Sequence, residues 1–467
     1  MDRPNVLLIV LDTARADALE PYGAAPGTTP ALAQLASRGR ALPHVHATAC
    51  WTMPSHASMF TGALPRAVGL SQAPGESPPG CRPLIEATAD RFLPEVLRRN
   101  GYRTRGVSSN IWVSNAAGFG TGFDEFRDIA GHRVAEMVSN KPGPRARWAL
   151  DALRARSDDG AAAAGEVLRG WVGERDGGTD FWFVNLIECH SPYLPPKPWN
   201  DLGPFERVRA AEEARSHLTM IEIWRVCVSD FDIPSEVLER MRHLYDRSVR
   251  QLDAWVADAL TALDDAGKLE DTLVLVTSDH GENFGENGLM GHAYSLDERL
   301  IHVPLIAAGP GRPEAMASLT EVPRVVADAV GLEDHPWPRE APEIAVAQFD
   351  PPGRKDDPRK VKAVEDWGAG PEALARLSTS IDVAIGDGTK LVRRGDTLEL
   401  YDLGDDPFEE RARPVTRDDA PQDLLAAIEE QDAQPVPAAA PAAASSADVS
   451  DEELARIEEQ MRTLGYL

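Results

Sequence analysis

The chain has 467 residues, which at ~100–200 residues per domain allows several domains and a large buried core. Its 75 acidic residues outweigh 48 basic ones, for a formal net charge of −27, and only seven of the basic residues are lysine. Such a field repels polyanions, which argues against a nucleic-acid binder that neutralises phosphates and against attachment to an anionic membrane surface.

The chain opens on Asp2-Arg3-Pro4 and a short apolar run over residues 6–11. That run is too short for a signal-peptide core or a membrane span. Cys50, Cys81, Cys189 and Cys227 are irregularly spaced and form no CxxC pair, so neither a zinc knuckle nor a disulfide framework is implied. The expectation is a reduced, cytoplasmic protein.

The run over 6–11 reads as a strand buried on both faces, ending at Asp12. Thr29-Pro30 starts a helix that runs to about Gly39. Further strands are expected over 104–108 and 181–187, the latter ending in Glu188-Cys189-His190. A long helix is expected over 236–267, with Val249, Leu252, Val256 and Leu260 on one stripe. A strand over 272–277 delivers Ser278-Asp279-His280, and another follows over 303–308. This alternation predicts an α/β fold with a mainly parallel sheet flanked by helices. Short strands over 344–349, 381–385, 390–393 and 397–400, separated by Gly-rich turns, predict a small antiparallel subdomain. The expected division is a catalytic domain over 1–311, an antiparallel α+β subdomain over 312–433, a Pro/Ala-rich linker over 434–447 and an amphipathic helix over 448–467.

The chemistry-bearing residues sit where strands end, the usual ligand crevice of open α/β sheets. In Asp279-His280-Gly281-Glu282, a carboxylate and an imidazole at a strand end can share a divalent cation. Asp12 follows a second buried strand and supplies another oxygen donor. In Trp51-Thr52-Met53-Pro54-Ser55-His56, Pro54 fits the first turn of a helix, so Thr52 lies at a helix N-terminus, where negative charge is favoured. Thr52 reads either as a plain cap or as a nucleophile.

Together these pieces resemble the sulfatase-like branch of the alkaline phosphatase superfamily. The resemblance runs through Asn5 to Asp17, Thr52 to Gly62, His190-Ser191-Pro192-Tyr193, Thr277 to Glu282, Val303-Pro304-Leu305 and Leu400-Tyr401-Asp402-Leu403. It implies a metal held by Asp12, Thr52, Asp279 and His280, with His190 and His292 near the leaving group. Family sulfatases carry Cys-x-Pro-x-Arg, whose cysteine becomes formylglycine. Here Thr52 stands at the cysteine and His56 at the arginine, while Thr13 replaces the second of two paired aspartates. Cys50 lies two residues too early to substitute.

Threonine cannot become formylglycine, and its ester cannot collapse from a second hydroxyl on the same carbon. The departures therefore point toward phosphoester-cleaving relatives. The expectation is a metal-dependent hydrolase that cleaves a small phosphate mono- or diester, or a phosphonate ester, through a phosphothreonine. A sulfate ester hydrolase, a phospho-group transferase and a non-catalytic sulfatase-like binding protein are the alternatives. The cation expected is Mn, Zn, Ca or Mg. A second metal on His190 and His292, with Glu188 or Asp297, competes with a one-metal site where these histidines act as acid and base. The partner expected is a small anionic ester, with no nucleic acid and no membrane span; a homo-oligomer is compatible with the sequence.

Overall fold

The computed structural model describes residues 3–74, 77–129, 142–175, 177–229, 232–351 and 357–432. The expected linker over 434–447 and helix over 448–467 lie outside these. The first nine strands are β1 (Asn5–Leu11), β2 (Arg40–His46), β3 (Arg103–Ser108), β4 (Glu125–Asp128), β5 (Asp180–Leu186), β6 (Thr272–Thr277), β7 (Asn283–Phe284), β8 (Met290–Gly291) and β9 (His302–Ala308). Seven of them form one sheet in the order β2-β9-β6-β1-β5-β3-β4. The pairs around β1, β3 and β5 are parallel, and β9 runs antiparallel to both β6 and β2. This is the mainly parallel α/β sheet that the alternating pattern predicts.

β1 shows why its run of six apolar residues reads as a central strand. Val6, Leu8 and Val10 face one hydrophobic core, while Leu7, Ile9 and Leu11 face the other. Both faces are covered, so polar alternation is absent. Helix Ser235–Asp265 lies on one face and buries Val249, Leu252 and Val256 there, with Leu260 half-buried. Helix Thr52–Thr61 lies on the other face, and all of its residues are buried. Among the described residues, no helix is long and apolar enough to cross a membrane.

Two sheet strands escape the sequence pattern. β2 contains Pro43 and three polar residues, and its pairing with β9 shifts register between Leu42 and Val45. β4, Glu-Phe-Arg-Asp, closes the opposite edge, and its charges suit an edge that must not recruit another strand.

The second sheet is antiparallel, in the order β10 (Ala345–Phe349), β11 (Ile381–Gly386), β12 (Thr389–Arg394), β13 (Thr397–Asp402) and β14 (Arg413–Val415). The β11–β12 turn is Asp387-Gly388, with φ of +47° and +72°, the geometry a two-residue hairpin demands. Helix Gln422–Asp432 covers one face through Leu424, Leu425 and Ile428. β14 is short and largely exposed, with no apolar run to announce it.

Lys390 on β12 ties this sheet to the larger one. It is fully buried. Its Nζ donates to the Leu296 carbonyl at 2.7 Å, to Glu298 at 3.0 Å and to Glu409. Glu298 also faces His46, at 3.1 Å. Burial disfavours the ammonium, yet Glu409 and Glu298 outweigh it and hold the Lys390 pKa above its ordinary value. Removing one member of a buried charge group leaves the rest uncompensated, at a cost of about 3–5 kcal/mol. Lys390→Met is therefore expected to lower the stability measured by urea unfolding by about that amount; a loss below about 1 kcal/mol would contradict this role.

Candidate active site

Strand register assembles the site. Val10 of β1 pairs with Thr277 of β6, so Asp12 and Asp279, each two residues further on, emerge side by side. On the other flank Ser108 pairs with Asn185, and Asn110 follows two residues later. Its Nδ2 donates to Asp12 Oδ2 at 2.7 Å and lies 3.3 Å from Thr52 Oγ1. Its Oδ1 accepts from the Trp112 backbone N–H at 2.9 Å, which fixes the amide's orientation.

Thr52 is the first residue of its helix. The N-cap is Trp51, in extended backbone and without a side-chain cap bond, so capping does not account for Thr52. Its Oγ1 lies 3.4 Å from His280 Nε2. The helix is locked to the segment that follows β6 by Ser55 Oγ, which donates to the Asp279 carbonyl at 2.6 Å. Gly62, at φ +65°, ends the helix.

Ligand atoms of Asp12, Asp279 and His280 all lie within 4.8 Å of one another, and all three residues are fully buried. Asp12 Oδ1 and Asp279 Oδ2 have no hydrogen-bond partner. Two orphaned carboxylate oxygens beside an imidazole nitrogen are a donor set for a divalent cation. Burial, then the Asp279 charge, pushes the Asp12 pKa up to about 8. Burial also opposes ionisation of Asp279, but His280 and His56 outweigh it and hold its carboxyl below the usual range. Burial drives His280 down to about 4, which leaves its ring neutral, as a ligand must be.

His56 packs edge-on against Phe119 and Phe183 in the core. Its Nδ1 lies 2.9 Å from the Thr52 carbonyl and 3.4 Å from Asp279 Oδ2. One turn into the helix, it packs as a buried neighbour of the cluster. Thr13 donates its backbone N–H to Asp279 Oδ1 at 3.2 Å and adds no carboxylate. Tyr245 of the long helix holds this loop: its hydroxyl accepts from the Arg15 N–H at 2.7 Å and donates to the Thr13 carbonyl at 3.0 Å. Arg15 pairs with Asp17 and Glu286, away from the cation donors.

The structure brings His190 and His292 together, with ring centroids 5.0 Å apart, and His292 lies 4.7 Å from the His280 ring. The carboxylates expected beside them are engaged elsewhere. Glu188 accepts from the Ala161 N–H at 2.7 Å, and Asp297 accepts from the Arg299 N–H at 2.9 Å. Glu282 takes their place, at 3.0 Å from His292 Nδ1. Among the described residues, Asp12, Asp279 and His280 form the one group with metal-ligand spacing.

Comparison with known proteins places this geometry. The profile of the family described as Sulfatase matches residues 4–330, most of the chain and every residue of the site. The chain belongs to the sulfatase family. A sulfatase from Formosa agariphila is 27% identical over 347 residues, covering 67% of this chain and 66% of the relative. Human iduronate 2-sulfatase is 25% identical over 356 residues, covering 68% of this chain and 62% of the relative. The chain thus matches less than two thirds of the length of these curated relatives. In fold, this sulfatase-family chain superposes on a putative sulfatase from Bacteroides thetaiotaomicron with a TM-score of 0.65 at 14% identity, covering 99% of this chain and 94% of the other. It superposes on a phosphonate monoester hydrolase of Agrobacterium radiobacter with a TM-score of 0.58 at 20% identity, covering 100% and 96%. The fold is therefore shared by sulfate- and phosphonate-ester enzymes.

Asp12 titrates above its ordinary 3.8, so the metal-free protein holds a proton there that a cation must displace. Affinity for Mn²⁺ is expected to rise by up to about tenfold per pH unit up to roughly pH 8 and then to level. Calorimetry at pH 6, 7 and 8.5 reads this directly, and a pH-independent affinity would contradict it. Asp279→Asn is expected to weaken the same binding by more than about 100-fold, since changes to outer-shell partners alone cost 10–100-fold.

Proposed function

We propose that this protein is a metal-dependent hydrolase that cleaves a small phosphate mono- or diester, or a phosphonate ester, with Thr52 as nucleophile. The carrying observation is Thr52 itself: a hydroxyl side chain at the helix N-terminus, beside His280 and Asn110, where formylglycine-forming relatives need a cysteine. A cation held by Asp12, Asp279 and His280, with Thr52, supplies Lewis-acid stabilisation of developing negative charge. The chain's own residues do the rest. Thr52 Oγ1 attacks phosphorus in line and forms the phosphothreonine, while the helix N-terminus favours the charge that builds there. Asn110 Nδ2 steadies Thr52 Oγ1 and Asp12. His190 and His292 move the protons: the one lost by the Thr52 hydroxyl goes to the departing alkoxide, and the one taken from the attacking water returns to Thr52 as the phosphothreonine breaks.

Sulfate ester hydrolysis is the second reading. It is favoured by the names of the curated relatives and by the family itself. Thr52 weighs against it, because the formylglycine route is closed to threonine. Both readings require Thr52, and transfer to an alcohol in place of water would use the same intermediate.

The test is turnover of aryl phosphate mono- and diesters, an aryl phosphonate and an aryl sulfate with Mn²⁺ present. Thr52→Ala is expected to lower kcat by at least about 10³-fold, and Thr52→Ser to keep a substantial share of it. Full turnover by Thr52→Ala would remove the nucleophile assignment. Sulfate-only turnover would establish the second reading.

A further inference from the structure

Glu282 is fully buried, and both of its oxygens are accounted for. Oε2 accepts from the Tyr193 hydroxyl at 2.7 Å, and Oε1 lies 3.0 Å from His292 Nδ1. The β7–β8 hairpin creates the second contact: Asn283 pairs with Gly291, so Glu282 and His292 are the next residues across. Gly291, at φ +74°, makes the turn out of β8 that brings His292 back over Glu282.

A buried carboxylate that needed only neutralisation had a cation within reach. Arg15 Nη1 donates to the backbone carbonyl of Glu282 at 3.0 Å. Its guanidinium charge nevertheless goes to Asp17 and Glu286. The Glu282 side chain is left for a phenol and an imidazole. Tyr193 reaches it from an unusual backbone position, φ +54°, where a tyrosine stays only because its surroundings hold it. Its ring is wedged against Tyr245 and Phe284. His292 in turn lies between His190 and His280, within electrostatic reach of Asp12 and Asp279. The hydrogen bond made by one imidazole nitrogen decides the state of the other.

We propose that Glu282 and Tyr193 are positioning residues that hold neutral His292 as the Nδ1–H tautomer, with Nε2 presented to the ester. This rests on the reading of His292 as a proton-transfer group at the Thr52 site. The two residues touch no reacting atom; they act through His292.

The test uses the full chain with ¹⁵N-labelled histidine and Mg²⁺, with His292 assigned by its loss in His292→Gln. Above its titration, wild-type His292 is expected to show a protonated Nδ1 and an unprotonated Nε2. In Glu282→Ala the two nitrogens average or exchange roles, and in Tyr193→Phe the averaging is partial. With an ester that wild type turns over, Glu282→Ala is expected to lower kcat about 10²-fold, with KM and Mg²⁺ affinity within about threefold. Glu282→Gln, whose amide oxygen accepts the same hydrogen bond, is expected to recover at least about tenfold of that loss. An unchanged tautomer in Glu282→Ala overturns the proposal, as does a kcat loss that merely follows lost Mg²⁺ affinity. If Glu282→Ala does not fold, Tyr193→Phe carries the same two readouts. The tautomer is read without substrate, so a failure of the hydrolase reading appears separately, as no turnover by wild type.

Discussion

Asp12 and Asp279 are fully buried on neighbouring parallel strands, and each keeps one oxygen without a hydrogen-bond partner. Two such charges cannot both persist in a dry interior unless a proton or a cation lies between them. The rest of the site is arranged around this constraint. His280 remains neutral beside them, Asn110 bridges Asp12 to Thr52, and Ser55 ties the Thr52 helix to Asp279's own carbonyl. His56 and Thr13 complete the enclosure without adding a carboxylate. A cation bound here would do structural work as well as chemical work, because it would relieve a repulsion that the strand register imposes.

Much of this was legible from the residues. β1, β5 and β6 are largely apolar runs, and such runs read as strands covered on both faces. Their ends named Asp12, His190, Asp279 and His280, and parallel register did the rest. Helix Thr52–Thr61 was legible from Pro54 and Gly62. Other parts were hidden for physical reasons. β2 and β4 are edge strands whose polar residues break the alternation. From the residues Asn110 reads equally as a donor to a transferred group or as a turn residue, and in the structure its turn and its reach to Thr52 use the same amide. Glu282 was visible in the Asp-His-Gly-Glu string, but its partner was not. The hairpin that sets it opposite His292 has strands of two residues each, too short to leave a periodic signal.

The smaller sheet contributes by restraint. Lys390 grips the Leu296 carbonyl and Glu298, and this segment follows His292 by only a few residues. Gln348, next to last in β10, donates its backbone N–H to the Thr48 carbonyl at 2.8 Å, just ahead of Trp51 and Thr52. The antiparallel subdomain thus holds the segment that precedes Thr52 and the segment that follows His292, although neither of these two residues belongs to it. The excess of acidic charge across the chain is compatible with an anionic ester, because a cation bound by Asp12 and Asp279 would stand between those carboxylates and the ligand.

The central claim is that one cation lies between Asp12, Asp279 and His280 and touches Thr52. Anomalous diffraction from crystals grown with Mn²⁺ tests it most directly. The expected result is a single strong peak within coordination distance of Asp12 Oδ1, Asp279 Oδ2 and His280 Nε2, with Thr52 Oγ1 in its shell. A peak held by His190 and His292 alone, or none at the two carboxylates, would contradict it.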